Sequence, residues 1–283
     1  MSMTHVLTEL WCKPSLILPQ MHKQLCQIVH DHVTGVAHLE GGRAVGFEVP
    51  ETADAVMQVV EGVAVIPIQG VLDKHANAMA QQSGATGLSD IEGMLTKAML
   101  DDSVEGILLD VNSPGGSVTG IPELAKKIAA AATVKPVVAF TDTMAASAAY
   151  WLIAGSSAIV ASESANIGSI GVYMAFHDTS RANEMAGIKT ILIKAGKFKA
   201  AGMDGIEPTG EQIDMMQESV DKIAGWFNGF VAQHRTGMPE SAREGQTFFG
   251  IDAVAIDMID KVGSADDAMN ELRAMIKTRT QGA

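Results

Sequence analysis

Three short stretches of the 283-residue chain place reactive or charge-stabilising groups where chemistry could use them. The first is TMAASAAYWLI (143–153), where Ser147 sits among small and apolar residues. The second is DVNSPGGSV (110–118), in which an apolar run stops at Pro114, Gly115 and Gly116. The third is KAGKFKAAG (194–202), with Lys194, Lys197 and Lys199 behind an apolar run. A serine hydroxyl is a nucleophile only when a neighbouring base takes its proton. A lysine can be that base when desolvation favours its uncharged form. Adjacent glycines can turn backbone N–H groups towards a developing oxyanion without interference from Cβ atoms. Each feature also has a plainer reading. Ser147 could pack a helix among alanines, Gly115–Gly116 could be a strand-to-helix turn, and the lysines could be a solvated basic loop.

The elements that must position these residues follow from apolar patterning. GVAVIPIQGVL (62–72) and VEGILLDVNSP (104–114) read as buried strands, as do PVVAF (136–140) and AIVAS (158–162). IGSIGVYM (167–174) and KTILIKAG (189–196) read as further strands. Between them, 89–100, 121–132 and 144–156 read as helices, the second opened by Pro122. On this reading Ser147 lies near the start of the third helix, where the helix dipole favours negative charge. Residues 209–235 form one long amphipathic helix capped by Thr209, followed by short helices at 250–258 and 264–276. Strands that are continuous apolar runs alternating with helices predict an α/β fold with a mostly parallel sheet covered on both faces.

Composition narrows the partners. A net charge of −13 with no basic run argues against nucleic acid, whose phosphates need clustered Lys and Arg. Cys12 and Cys26 show no metal or disulfide spacing, which suits a reducing compartment. The first residues show no basic segment followed by an apolar one, so no signal peptide is expected. The apolar stretch 137–161 carries too many polar residues for a lipid-facing span. His30 and His32 are two steps apart on the helix expected around 21–33, and no further ligand is evident. No metal and no cofactor are predicted.

Taken in order, SPGGSV, MAASAAYW, IGSIGVY and KAGKFKAAG resemble the signal peptide peptidase A family of Ser-Lys serine peptidases. GQTFFGIDAVAIDMIDKVGSADDAM (245–269) is similar to that family's terminal pattern. The resemblance runs from about residue 62 to about 270. It implies a ClpP/crotonase-like β-α spiral with an N-terminal helical arm and C-terminal helices. The expected organisation is an arm over 1–60, a catalytic core over 61–235 and a helical segment over 236–283 that completes the core. By the same resemblance Ser147 is the nucleophile, Lys199 the general base, and Ser169 the hydroxyl that positions the lysine amine. Gly115, Gly116 and the backbone N–H of Ala148 form the oxyanion hole. The family usually has Gly-Gly after the nucleophile, where this chain has Ala148-Ala149, a change that keeps the site small. The alanine-rich wall suggests small or apolar side chains at the residue before the cleaved bond.

The absence of an N-terminal span and the arm TELWCKPSLILPQMHKQL (8–25) resemble the phage-encoded branch of the family. That branch implies processing of capsid or scaffold proteins, a homo-oligomer, and a cytoplasmic location in a bacterial host. Four rivals stay open. One is a soluble bacterial peptidase that degrades signal peptides. A second is a Ser-His peptidase of ClpP type using His177 and Asp178. A third is a crotonase-type acyl-CoA enzyme, in which Ser147 and Lys199 would be incidental. The last is a catalytically silent assembly protein.

Overall fold

The computed structural model describes residues 14–21, 23, 56–76 and 85–282. Cys12, Cys26, His30, His32 and most of the helix expected around 21–33 lie outside the described residues. In chain order the strands are β1 (Ser15–Ile17), β2 (Gln58–Val60), β3 (Val63–Asp73), β4 (Ala85–Gly87), β5 (Gly106–Ser117), β6 (Val137–Ala146), β7 (Ala158–Ala161), β8 (Asn166–Gly168), β9 (Thr247–Phe249) and β10 (Lys261–Val262). The sheet path is β10-β7-β6-β5-β3-β2, and β10, β7, β6, β5 and β3 run parallel along it. β2 against β3 and β9 against β8 pair antiparallel. The α/β class and the mostly parallel sheet are therefore as expected.

The parallel strands are apolar on both sides because both faces are covered. Leu108, Val138, Phe140 and Val160 pack with Ala268 and Leu272 of the C-terminal helix Ala265–Gly282. Pleating sends their neighbours Ile107, Leu109 and Ile159 to the opposite face, where they are also fully buried. The helices Leu88–Leu100, Ile121–Val134 and Ala148–Ile153 supply further buried apolar side chains, among them Ile91, Leu124 and Trp151.

The long strands change partners halfway. β6 pairs β7 over Val138–Thr141 and then β8 over Met144–Ala146. The β5–β6 register shifts between Asp110 and Asn112, and the β3–β5 register between Gln69 and Val71. A sheet whose strands bend and re-pair in this way is compatible with a β-α spiral.

The chain forms two compact units. Among the described residues, one comprises Pro14, Ser15 and Val172–Gly225; the other comprises Leu16–Gly171 and Trp226 onward. In the first unit, Thr209 caps the helix Gly210–His234. Its hydroxyl accepts from Gln212 N–H at 3.3 Å, while Gln212 Oε1 accepts from Thr209 N–H at 3.0 Å, a reciprocal capping box. The stretch 189–196 is not the expected strand. It has β-branched residues but no partner strand among the described residues, and its Ile191 and Ile193 are exposed.

In the second unit, Arg235 follows the long helix and is almost fully buried. Its Nε donates to Ala154 O at 2.9 Å, and its guanidinium pairs with Asp260 at 2.6 Å. Asp260 also accepts from Ile159 N–H at 2.7 Å. Arg235 thus holds the C-terminal carbonyl of the short helix that Ser147 opens, a favourable place for a cation. Arg235→Ala is expected to lower stability by about 2–3 kcal/mol in urea unfolding. That is the low side for a broken buried pair, because the Asp260 side chain is 45% exposed and partly screened.

Burial of the Asp110 carboxyl, followed by repulsion from Asp142, raises its pKa above the ordinary value of 3.8. A carboxyl whose folded pKa is raised binds more protons in the folded state between 3.8 and that higher value. Stability therefore falls as pH rises through this window. Asp110→Asn is expected to raise the melting temperature at pH 7, with the gain disappearing when wild type and variant are melted below pH 3.8.

Candidate active site

Ser147 lies between β6 and the helix Ala148–Ile153, not inside the helix. β6 extends beyond the expected 136–140 because Met144 and Ala145 pair with Asn112 and Ser113 of β5, and Ala145 and Ala146 pair with Ile167 and Gly168 of β8. The alanines would also suit a helix, but two neighbouring strands claim their backbone. Ser147 then turns the chain with φ 52° and ψ −117°. This is a strained conformation for a residue with a side chain. Two hydrogen bonds hold it: Ser147 N–H donates to Gly168 O at 2.7 Å, and Ser147 O accepts from Trp151 N–H at 2.9 Å. The Ser147 side chain has no hydrogen bond among the described residues.

Ser169 repeats this geometry on the adjacent strand. Ala146 and Gly168 are register partners, so Ser147 and Ser169 each follow the last pair of β6 and β8. Ser169 has φ 53°, and its N–H donates to Gln246 O at 2.7 Å. The structure therefore brings these two predicted serines side by side. The strand expected over 167–174 ends at Gly168, because Ser169 turns out of the ladder.

Gly115 and Gly116 are not in a turn. They continue β5, with Gly115 opposite Val71 and Gly116 opposite Leu72. An added Cβ at Gly116 would stand 1.9 Å from Leu72 O. At Gly115, where φ is 102°, it would stand 2.0 Å from Leu16 O and 3.0 Å from Ala148 N. Only residues without a side chain fit at either position, and Gly115 borders the first amide of the helix after Ser147. Helix-opening amides such as that of Ala148 have no acceptor within their own helix.

Sequence reading gave no role to Ser113, which is fully buried. Its Oγ donates to Gly70 O at 2.6 Å and accepts from Gly115 N–H at 3.2 Å, fixing the peptide that enters the glycine pair. Its place directly before Pro-Gly-Gly was the available signal. Gln246, Arg235 and Asp260 were also missed, because their partners are distant in sequence.

Lys199 belongs to the Val172–Gly225 unit, in a turned segment where its N–H donates to Gly196 O at 3.2 Å. The three lysines differ. Lys194 Nζ donates to Lys197 O at 3.0 Å, and Lys197 pairs with Glu211. The Lys199 side chain has no hydrogen bond or ion pair among the described residues. His177 lies in the same unit and is exposed.

The model of Peptidase family S49 matches residues 129–279, a span that contains Ser147, Ala148, Ser169 and Lys199. The capsid assembly protease C of Escherichia phage lambda is 31% identical over 225 residues, covering 78% of this chain and 51% of that protein. The head-tail preconnector protein GP5 of Enterobacteria phage P21 is 32% identical over 230 residues, covering 80% of this chain and 46% of that protein. The chain thus spans about half the length of these relatives. A solved enoyl-CoA hydratase from Shewanella pealeana is 13% identical with a TM-score of 0.43, covering 78% of this chain and 72% of that one. Among the described residues, no helix is long and apolar enough to cross a membrane. With the family model matching more than half of its 283 residues, the chain belongs to peptidase family S49.

Proposed function

We propose that the chain is a serine endopeptidase that uses Ser147 as nucleophile and Lys199 as general base. The observation that carries this reading is the Ser147 backbone. A strained φ of 52° at a strand-to-helix junction, with a side chain left unbonded, is expensive for a merely structural serine. Among the described residues Lys199 is the lysine of its cluster with an uncommitted side chain, and it matches the family pattern after Phe198.

In the proposed cycle Lys199 takes the proton from Ser147 Oγ, and the oxygen attacks a peptide carbonyl carbon. The oxyanion is received by the amide of Ala148 beside the Gly115–Gly116 segment, where the missing Cβ of Gly115 allows a carbonyl to approach, while Gly115 N–H is itself given to Ser113 Oγ. Ser113 steadies the Gly115 peptide, and Ser169 orients the lysine amine. Lys199 then gives its proton to the leaving amine, and water releases the acyl group from Ser147. No metal or cofactor takes part.

The substrate on this reading is a capsid or scaffold protein, and the working form is a homo-oligomer in the host cytoplasm. Support comes from the names of two relatives, a phage capsid assembly protease and a head-tail preconnector protein. Incubation with a fluorophosphonate, followed by peptide mass mapping, tests the nucleophile. The expected adduct is on Ser147, with parallel loss of casein hydrolysis. An adduct elsewhere, or none while casein is still cleaved, contradicts the assignment.

A further inference from the structure

β5 offers two edges along its length. β3 covers one of them from Gly106 to Gly116. β6 covers the other only as far as Ser113, opposite Ala145, and then leaves towards Ser147. From Pro114 onward that second edge opens beside Ser147. An exposed strand edge of this kind binds extended peptide through its main chain.

The edge is already filled, and the occupant is part of this chain. β1 pairs with β5, and Leu18 N–H donates to Pro114 O at 3.1 Å. The Leu16 carbonyl lies over Gly115. The point where a side chain at 115 would begin is 2.0 Å from Leu16 O, 3.0 Å from Leu16 C and 3.0 Å from Ala148 N. A peptide carbonyl therefore sits at the glycine and the helix-opening amide that flank Ser147. The side chains are seated as well, with Leu16 fully buried and Ile17 5% exposed. Pro14 and Pro19 bracket the segment, and neither can donate to a ladder, so the inserted strand is short and self-limiting.

We infer that Leu16–Leu18 is a tethered pseudo-substrate that occupies the peptide-binding edge of its own chain and holds it closed to other peptides. The inference rests on the peptidase reading of Ser147 for its meaning, but the occupancy itself is a binding statement. A covalently attached segment competes at a high effective concentration, so an incoming peptide must displace it. If the segment is in place about 90% of the time or more, a competitor binds at least about tenfold more weakly than it would to the open edge.

The test uses the full chain carrying Ser147→Ala, so that nothing is turned over. A fluorescein-labelled peptide with the sequence PSLILP is titrated and read by anisotropy. Adding Leu16→Glu places a charge where no solvent reaches and expels the segment. The expected result is peptide binding at least tenfold tighter than without that change. Leu18→Pro is the second variant: it removes the N–H that bonds Pro114 O, adds no charge, and is expected to change binding in the same direction if Leu16→Glu impairs folding. Circular dichroism melts accompany both. Equal peptide affinity with and without the changes, or no binding to a folded variant, overturns the inference. Because the readout is binding, tighter binding to the variants while Leu16→Glu in the chain that keeps Ser147 still fails to cleave casein would leave the occupancy standing and remove the peptidase reading instead.

Discussion

Ser147→Ala is expected to reduce hydrolysis of an unfolded protein by on the order of 10⁵-fold, with little change in the unfolding midpoint. Removing a nucleophile eliminates the covalent route entirely and leaves only what binding and the oxyanion donors provide. The fold is spared because the side chain makes no hydrogen bond among the described residues. Both bonds that hold the residue, to Gly168 O and from Trp151 N–H, are made by its backbone. Ser147→Gly sharpens the point. At φ 52° and ψ −117° glycine is unstrained, so this variant should be as inactive as the alanine but more stable by about 1 kcal/mol. A residue that lowers stability where it stands, yet cannot be replaced without losing activity, is what a nucleophile looks like in a denaturation curve. Urea titrations of the three proteins, alongside casein cleavage, measure both quantities.

Gly116→Ala is expected to be the most damaging small substitution in the glycine pair. The new Cβ would stand 1.9 Å from Leu72 O and 2.6 Å from both Leu72 C and Leu72 N. These are backbone atoms in the central β3–β5 ladder, so no side chain can swing aside. The two strands must separate, at a cost of about 3 kcal/mol or more, the upper end for overpacking. Activity should fall with it, because the same displacement moves Gly115 away from Ala148 N. Chemical denaturation and casein hydrolysis check the two halves. An alanine variant of unchanged stability would mean that β3 and β5 are held less rigidly than the ladder implies.

How much of this was legible in the sequence depended on where the deciding interaction lay. Long apolar runs such as 62–72 and 104–114 revealed the sheet, because a strand buried on both faces must be apolar at every position. The end of β6 was misplaced by several residues. Met144–Ala146 reads as helix by composition, and only pairing with β5 and β8 makes it strand. Pro114–Gly116 reads as a turn, but β3 keeps those residues in the ladder and the glycines serve close approach instead. KTILIK has strand composition but no partner strand among the described residues. β9 is three residues long and gave no pattern, although it is antiparallel to β8 and follows Gln246, whose carbonyl fixes Ser169. For the candidate site, residue type pointed to Ser147, the glycines and the lysines, and the family resemblance added Ser169. Ser113, Arg235 and the seated Leu16 carbonyl depend on contacts between distant parts of the chain, which no local pattern carries.

Ser147 is proposed to be activated by Lys199. The most direct measurement is casein hydrolysis by wild type, Lys199→Ala and His177→Ala at matched concentration, with folding verified by circular dichroism. Lys199→Ala is expected to lose activity by a factor on the order of 10³ or more, while His177→Ala keeps it. Retained activity in Lys199→Ala together with loss in His177→Ala would contradict the proposal and make histidine the base.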